Sequence, residues 1–194
     1  SVAYSDKNVK ICASHCGLTL GEDGATHQIL EDVGMMKMLP NMTVIHTCDY
    51  VQTRNATHAV AAHHGPVYFR FGRPKVPVIT AANEPFVIGK ARRVMTGSDV
   101  TLVTNGHIVW NSILAARELA ADGISVDLID MHTIKPLDEA ALIESVSRTG
   151  CVVSAEEHQR FGGLGESVAA CLAAHQPTPC LLYTSDAADE SLCV

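Results

Sequence analysis

Gly17-Leu18-Thr19-Leu20-Gly21-Glu22-Asp23-Gly24-Ala25-Thr26-His27-Gln28 is a loop punctuated by three glycines, with two acids and an imidazole between and beyond them. It follows an apolar run at 9–13, and His15 stands just past that run. An amphipathic stretch starts near Thr26. This order predicts a strand that empties into a loop and then a helix, the connection that builds α/β folds. Glycine lets the backbone turn with positive φ and lets a ligand come close. His15, Asp23 and His27 supply groups that move protons or hydrogen-bond a polyol near neutral pH. Taken singly, His15 reads as a strand-end histidine, His27 as a cap and Asp23 as half of an Asp-Gly turn. Their concentration in one loop favours function, because loops on a rigid strand–helix frame are where active sites sit.

Outward from this loop, short apolar runs alternate with helical patterns. Strands are predicted at 9–13, 42–47 and 66–71, and helices at 28–38 and 50–62. Three prolines then fall close together, Pro74, Pro77 and Pro85. Proline density without periodicity predicts an extended linker over 74–89. The alternation restarts with strands at 99–104, 125–130 and 150–154. Helices are expected at 108–121, 139–146 and from Gly162 to about Ala174. The predicted class is α/β, two small domains with mostly parallel sheets joined by crossover helices. The predicted organisation is a first domain at 1–73, the linker, a second domain at 90–179 and a tail at 180–194. That tail carries no period, and its Leu181-to-Glu190 portion resembles translated sequencing-adapter read-through, which marks a metagenomic fragment.

The totals narrow the function. A net charge of −7 argues against nucleic-acid partners and anionic membrane surfaces. No apolar run reaches the length of a membrane span, and the start shows no signal-peptide pattern, so a cytoplasmic protein is expected. The seven cysteines are scattered without a CxxC pair, which predicts reduced thiols and no metal site.

Other polar groups carry weaker signals. Arg70 and Arg73 flank the end of the third strand, and alternation sends one of them toward a cleft at its C-terminal edge. A guanidinium there suits a phosphate through paired hydrogen bonds. Gly162-Gly163-Leu164-Gly165 resembles a phosphate-cradling loop, but without wider motif context it reads better as tight loop–helix packing. Glu156, Glu157 and His158 end a strand just before it and are expected at a seam between domains or subunits.

Together these residues resemble the transketolases. Residues 21–28, Gly-Glu-Asp-Gly-Ala-Thr-His-Gln, are similar to the GEDGxTHQ signature of that family. Ser14-His15-Cys16 falls at its upstream histidine, and Leu39-Pro40-Asn41-Met42-Thr43 matches a strand approach. The stretches 68–77, 130–136 and 156–165 look like the split, two-subunit form. The resemblance runs over about 1–179. It implies the end of a thiamine-diphosphate pyrimidine-binding domain followed by a C-terminal domain, and transfer of a two-carbon ketol unit between sugar phosphates in carbohydrate metabolism such as the pentose phosphate pathway. It implies that His15 and His27 are catalytic and bond donor hydroxyls, with His27 also facing the cofactor. Asp23 would recognise an acceptor hydroxyl, and Arg73 would hold the substrate phosphate. Thiamine diphosphate and a divalent metal, Mg or Ca, would be held mainly by an N-terminal partner subunit in a homo- or hetero-oligomer.

There are departures from the family pattern. Cys16 stands where the family has a small or acidic residue. The family's cofactor-activating glutamate and its aromatic ring pocket precede the matched region, and strands that normally follow Pro179 are expected to be lost. The expectation is a subunit truncated at both ends and inactive alone. A deoxyxylulose-phosphate synthase, a 2-oxo-acid dehydrogenase β subunit and a non-catalytic docking module stay open as alternatives.

Overall fold

A computed structural model describes residues 1–20 and 23–184. The first sheet contains β1 (Lys10–Ala13), β2 (Thr43–His46) and β3 (Val67–Arg70), with β1 and β2 each parallel to β3. Helix α1 (Asp32–Lys37) covers one face, where Val33, Met42, Val44 and Tyr68 pack together. Helix α2 (Tyr50–Ala62) covers the other, against Ile45, Val67 and Phe69. The alternation of Val67, Tyr68 and Phe69 thus feeds both layers, as a doubly covered parallel strand must.

The second sheet is built from β4 (Arg92–Met95), β5 (Val100–Thr104), β6 (Val126–Asp130), β8 (Val152–Glu156) and β9 (Cys180–Thr184), parallel except for β4. Their spatial order is β4-β6-β5-β8-β9. Helix α3 (Ile108–Ala121) packs on one face through Val109, Ile113 and Ala116. Helices α4 (Glu139–Thr149) and α5 (Leu164–His175) pack on the other through Leu142, Val146, Leu164 and Val168. Both halves are therefore three-layered, as the alternation predicts, and mostly parallel.

Several details differ from expectation. The predicted helix at 28–38 shrinks to the six residues of α1. Gly24 turns with φ +69° and Ile29 bridges Gly17, so the loop runs to the edge of the helix. Strand β7 (Thr133–Lys135) was not expected at all. It leaves the second sheet after β6 and pairs antiparallel with β2, completing the first sheet in the order β1-β3-β2-β7. Strand β4 also went unforeseen, since Arg92 and Arg93 mask an edge strand in a short run. The expected tail at 180 begins instead as β9, in register with β8 from Val152↔Cys180 to Glu156↔Thr184. The rest of that tail, 185–194, lies outside the described residues.

The region predicted as a linker has no helix or strand over 74–89, yet it is pinned. Asp49 caps α2 by accepting from Gln52 N, and its second oxygen accepts from Ile79 N and Thr80 N, each at 2.8 Å. Asn55 donates to Glu84 O at 2.8 Å. No helix among the described residues is long and apolar enough to cross a membrane.

Candidate active site

The loop after β1 lies at the carboxyl end of the first sheet, where parallel α/β folds place ligands. Its base is closed by Gly17 N donating to Ile29 O at 3.2 Å and by Gln28 Nε2 donating to Leu18 O at 3.1 Å. His15 sits just before it with φ +65°, a left-handed conformation that costs a side-chain-bearing residue energy. Its Nδ1 lies 2.8 Å from Ser14 Oγ, and its ring is exposed. His27 is also exposed, with Nδ1 2.9 Å from Thr26 Oγ1.

His15, Asp23 and His27 line one hollow of about 560 Å³, together with Cys16, Tyr68 and Gln28 among others. Asp23 forms an ion pair with Arg73 Nη1, and the same nitrogen donates to Leu20 O at 3.2 Å. So the three loop residues converge on shared space, and Arg73 reaches them through Asp23. Glu22, the other acid of the motif, lies outside the described residues. The hollow offers imidazoles, a carboxylate and a guanidinium near its edge, a donor and acceptor set suited to a hydroxylated, anionic small molecule.

Of the two arginines, alternation buries one. Arg70 is 1% exposed. Its Nε donates to Asp32 Oδ2 at 2.8 Å, and its Nη2 donates to Ile29 O and to Glu157 O. Tyr68 donates its hydroxyl to the same Asp32 oxygen at 2.7 Å. His46 lies beside them, its Nδ1 3.1 Å from Asn105 Oδ1 and its Nε2 3.4 Å from Cys16 Sγ. Burial first, then the Arg70 charge, holds the His46 imidazole well below its ordinary pKa, so it stays neutral. Burial likewise pushes the Cys16 thiol up to about 11, which makes it inert as a nucleophile near neutrality.

This buried network went unrecognised in the sequence. The available signal was a charged or imidazole residue closing each of two apolar strands, Arg70 and His46. Asn105 comes from the second half and was out of reach of local reading, and the sequence places Glu157 at a seam but without its partners Arg70 and Thr19. The seam expected for residues 156–158 is present. Glu157 Oε1 accepts from Thr19 N, and His158 Nε2 accepts from Gly34 N at 3.2 Å. Glu156 instead caps α5, accepting from Leu164 N and Gly165 N at 2.7 Å each. The helix terminus after the glycine-rich 162–165 loop is thus satisfied by the chain's own carboxylate, which leaves no cradle for a phosphate. Gly162 is a packing position, since a Cβ there would lie 2.7 Å from Gly34 Cα.

Two family models match the chain. The transketolase pyrimidine binding domain covers residues 1–78, and the transketolase C-terminal domain covers 89–186. A 6-deoxy-6-sulfo-D-fructose transketolase subunit from Clostridium sp. (strain MSTE9) is 42% identical over 179 residues, 92% of this chain and 56% of that protein. An apulose-4-phosphate transketolase subunit from Phocaeicola vulgatus is 37% identical over 179 residues, covering 92% of this chain and 57% of that one. A solved split gene transketolase, described as an inactive beta4 tetramer, superposes with a TM-score of 0.90 at 40% identity. That match covers 96% of this chain and 60% of the other. The chain spans little more than half the length of the curated relatives named here.

Proposed function

The chain belongs to the transketolase family, and on that premise we propose that it serves in a split transketolase that moves a two-carbon ketol unit between sugar phosphates. In this reading residues 1–73 give the end of a pyrimidine-binding domain and residues from about 90 give the C-terminal domain. The observation that carries the reading is the convergence of His15, Asp23 and His27 on one hollow with Arg73 paired at Asp23. His15 and His27 bond the donor's hydroxyls and take or return protons there, and Asp23 recognises an acceptor hydroxyl. Arg73 holds the phosphate, for which its guanidinium exchanges part of its contact with Asp23. The two relatives are named for a sulfonated fructose and a phosphorylated apulose, so the substrate class proposed is ketoses and aldoses that carry a phosphate or a comparable anionic group.

The donor set suits the sugar better than the cofactor's metal diphosphate. No group of three or more His, Cys, Asp or Glu side chains able to hold a metal ion occurs among the described residues. His27 is the residue of this chain proposed to face thiamine diphosphate, which when bound would stabilise the carbanion formed as the carbon–carbon bond breaks. The diphosphate and its divalent metal are assigned to an N-terminal partner subunit, in an oligomer. The setting proposed is cytoplasmic, in keeping with six free thiols among the described residues.

The test is a graft. This chain replaces the matching segment of a split transketolase subunit, and the chimera is mixed with its partner, thiamine diphosphate and Mg²⁺. Cofactor-dependent ketol transfer is expected, and His27→Ala should reduce it at least about tenfold, a floor below the roughly 10²–10⁴-fold that a positioned proton-transfer group contributes. No transfer from the parent chimera, or full activity in the variant, counts against the reading.

A further inference from the structure

The loop that carries Asp23 and leads to His27 is gripped from the other half of the molecule by one carboxylate. Glu157 follows β8 and is only 4% exposed. Its Oε1 accepts from Thr19 N at 3.3 Å. Its carboxylate also lies against Gly17, where a Cβ would come within 2.4 Å of Oε2, and Gly17 turns with φ +79°. Oε2 finds no hydrogen-bond partner among the described residues. The backbone of the same residue is fixed, because Glu157 O accepts from Arg70 Nη2 at 3.0 Å. Two residues on, Gln159 N donates to Leu30 O at 3.0 Å, at the far end of the loop. The second half thus holds both ends of the 17–30 segment, with the Glu157 side chain at Gly17 and Thr19 and the Gln159 amide at Leu30.

We infer that Glu157 is a positioning residue, setting the spacing of His15, Asp23 and His27 around the hollow by anchoring Thr19 and seating Gly17. This rests on the hollow being the sugar-phosphate site. The physical reason is leverage. An exposed loop keeps one geometry only where buried groups over-determine it. Among the described residues the loop's internal bonds are few, from Gly17 N to Ile29 O, Gln28 to Leu18 O and His27 N to Gly24 O, and Arg73 holds Leu20 and Asp23 from outside. A charged carboxylate accepts the Thr19 amide more strongly than a protonated one. Burial raises the Glu157 pKa, opposed by the Thr19 hydrogen bond and by the Arg70 charge. The charged and titratable groups around it are Arg70 of β3, Cys16 before the loop and, lining the same neighbouring cavity, His107 at the start of α3.

The experiment uses the full chain labelled with ¹⁵N, and D-fructose 6-phosphate as the probe. The Thr19 amide resonance should titrate with a midpoint above the ordinary glutamate range. In Glu157→Gln that titration should vanish while the far-ultraviolet circular dichroism stays unchanged. The His15 and His27 Cε1–H resonances should move, and the Kd for the probe should weaken about fivefold, the worth of one net hydrogen bond. An unmoved Thr19 titration in the variant, or unmoved imidazole resonances, overturns the proposal. Should Glu157→Gln fail to fold, the unsubstituted chain decides alone, since a Thr19 amide that does not titrate also overturns it. Failure of the unsubstituted chain to bind the probe counts against the sugar-phosphate reading, and the Thr19 titration still judges the anchor.

Discussion

The hollow and the seam behind it are made of the same residue types used in opposite ways. In the hollow, His15, Asp23 and His27 are exposed and keep few partners. In the seam, Arg70, Asp32, His46 and Glu157 are all below 5% exposed and joined to one another or to backbone. The hollow's groups stay available to a ligand because they do little for the fold. The seam's groups are committed to the fold, because each already completes another buried group, although Asp32 also lines the hollow. Substitutions in the two places should therefore fail differently, stability against binding, and that difference can be measured.

The largest effect is expected at Arg70. Arg70→Ala would leave the Asp32 carboxylate buried without its cation, take from the Glu157 carbonyl its Arg70 donor and leave the Ile29 carbonyl with Gly17 N alone. Removing one partner of a buried ion pair costs about 3–5 kcal/mol, to be read as a drop in the urea midpoint at unchanged slope. Arg70→Lys should rescue little, since an ammonium cannot reach Asp32, Ile29 and Glu157 at once. A loss under about 1 kcal/mol would place Arg70 with the exposed pairs and erase the contrast.

A second, smaller effect sharpens the seam's cost. Asp130, at the end of β6, is fully buried and accepts from Gln52 Nε2 of the first half at 2.6 Å. Burial pushes its carboxyl up to about 7, against the opposing pull of Gln52 and Arg92. A folded pKa above the unfolded one means that the folded chain keeps a proton the unfolded chain has released. Stability is then full below the ordinary carboxylate range and falls as pH rises toward about 7. Asp130→Asn removes that penalty and keeps an acceptor for Gln52. The variant should exceed the unsubstituted chain by about 1–3 kcal/mol near pH 8 and match it near pH 4, by thermal melts across that window. Neighbouring His132, lowered by burial to about 4, works the other way and destabilises both proteins equally on acidification. A gap that does not change with pH would show that Asp130 stays ionised in the fold.

How much of this could be read from the sequence follows the same division. The helices at 50–62 and 108–121 match α2 and α3 residue for residue, because the helical patterns there were long and their ends well marked. Parallel strands emerged from apolar runs between them. His15, Asp23 and His27 were found as a group because glycines mark a loop and because they lie close in sequence. What stayed hidden depended on distant partners. Strand β7 has three residues and exists because β2 offers it an edge. Strand β9 follows Pro179 and pairs with β8, which no local period announces. Glu157 bears on the first loop, and Asn105 on His46, only once the two halves meet, so a window of sequence around either holds no trace of its partner.

The smallest change in stability, and the clearest separation of the two regions, is expected at Arg73. Its pair with Asp23 is more than a third exposed on both sides. Exposed pairs contribute about 0–1 kcal/mol, because water screens them and two side chains must be held in place. Arg73→Ala should therefore shift the urea midpoint by less than about 1 kcal/mol. It should nonetheless weaken D-fructose 6-phosphate more than about tenfold, since hydrogen bonds to a charged group are worth about 1.5–3 kcal/mol. Sorbitol, which lacks the phosphate, should bind both proteins equally. Equal loss for both ligands would mean that Arg73 acts by holding Asp23 and Leu20 in place. The guanidinium would then belong with Arg70 as a structural group, and the phosphate would need another partner.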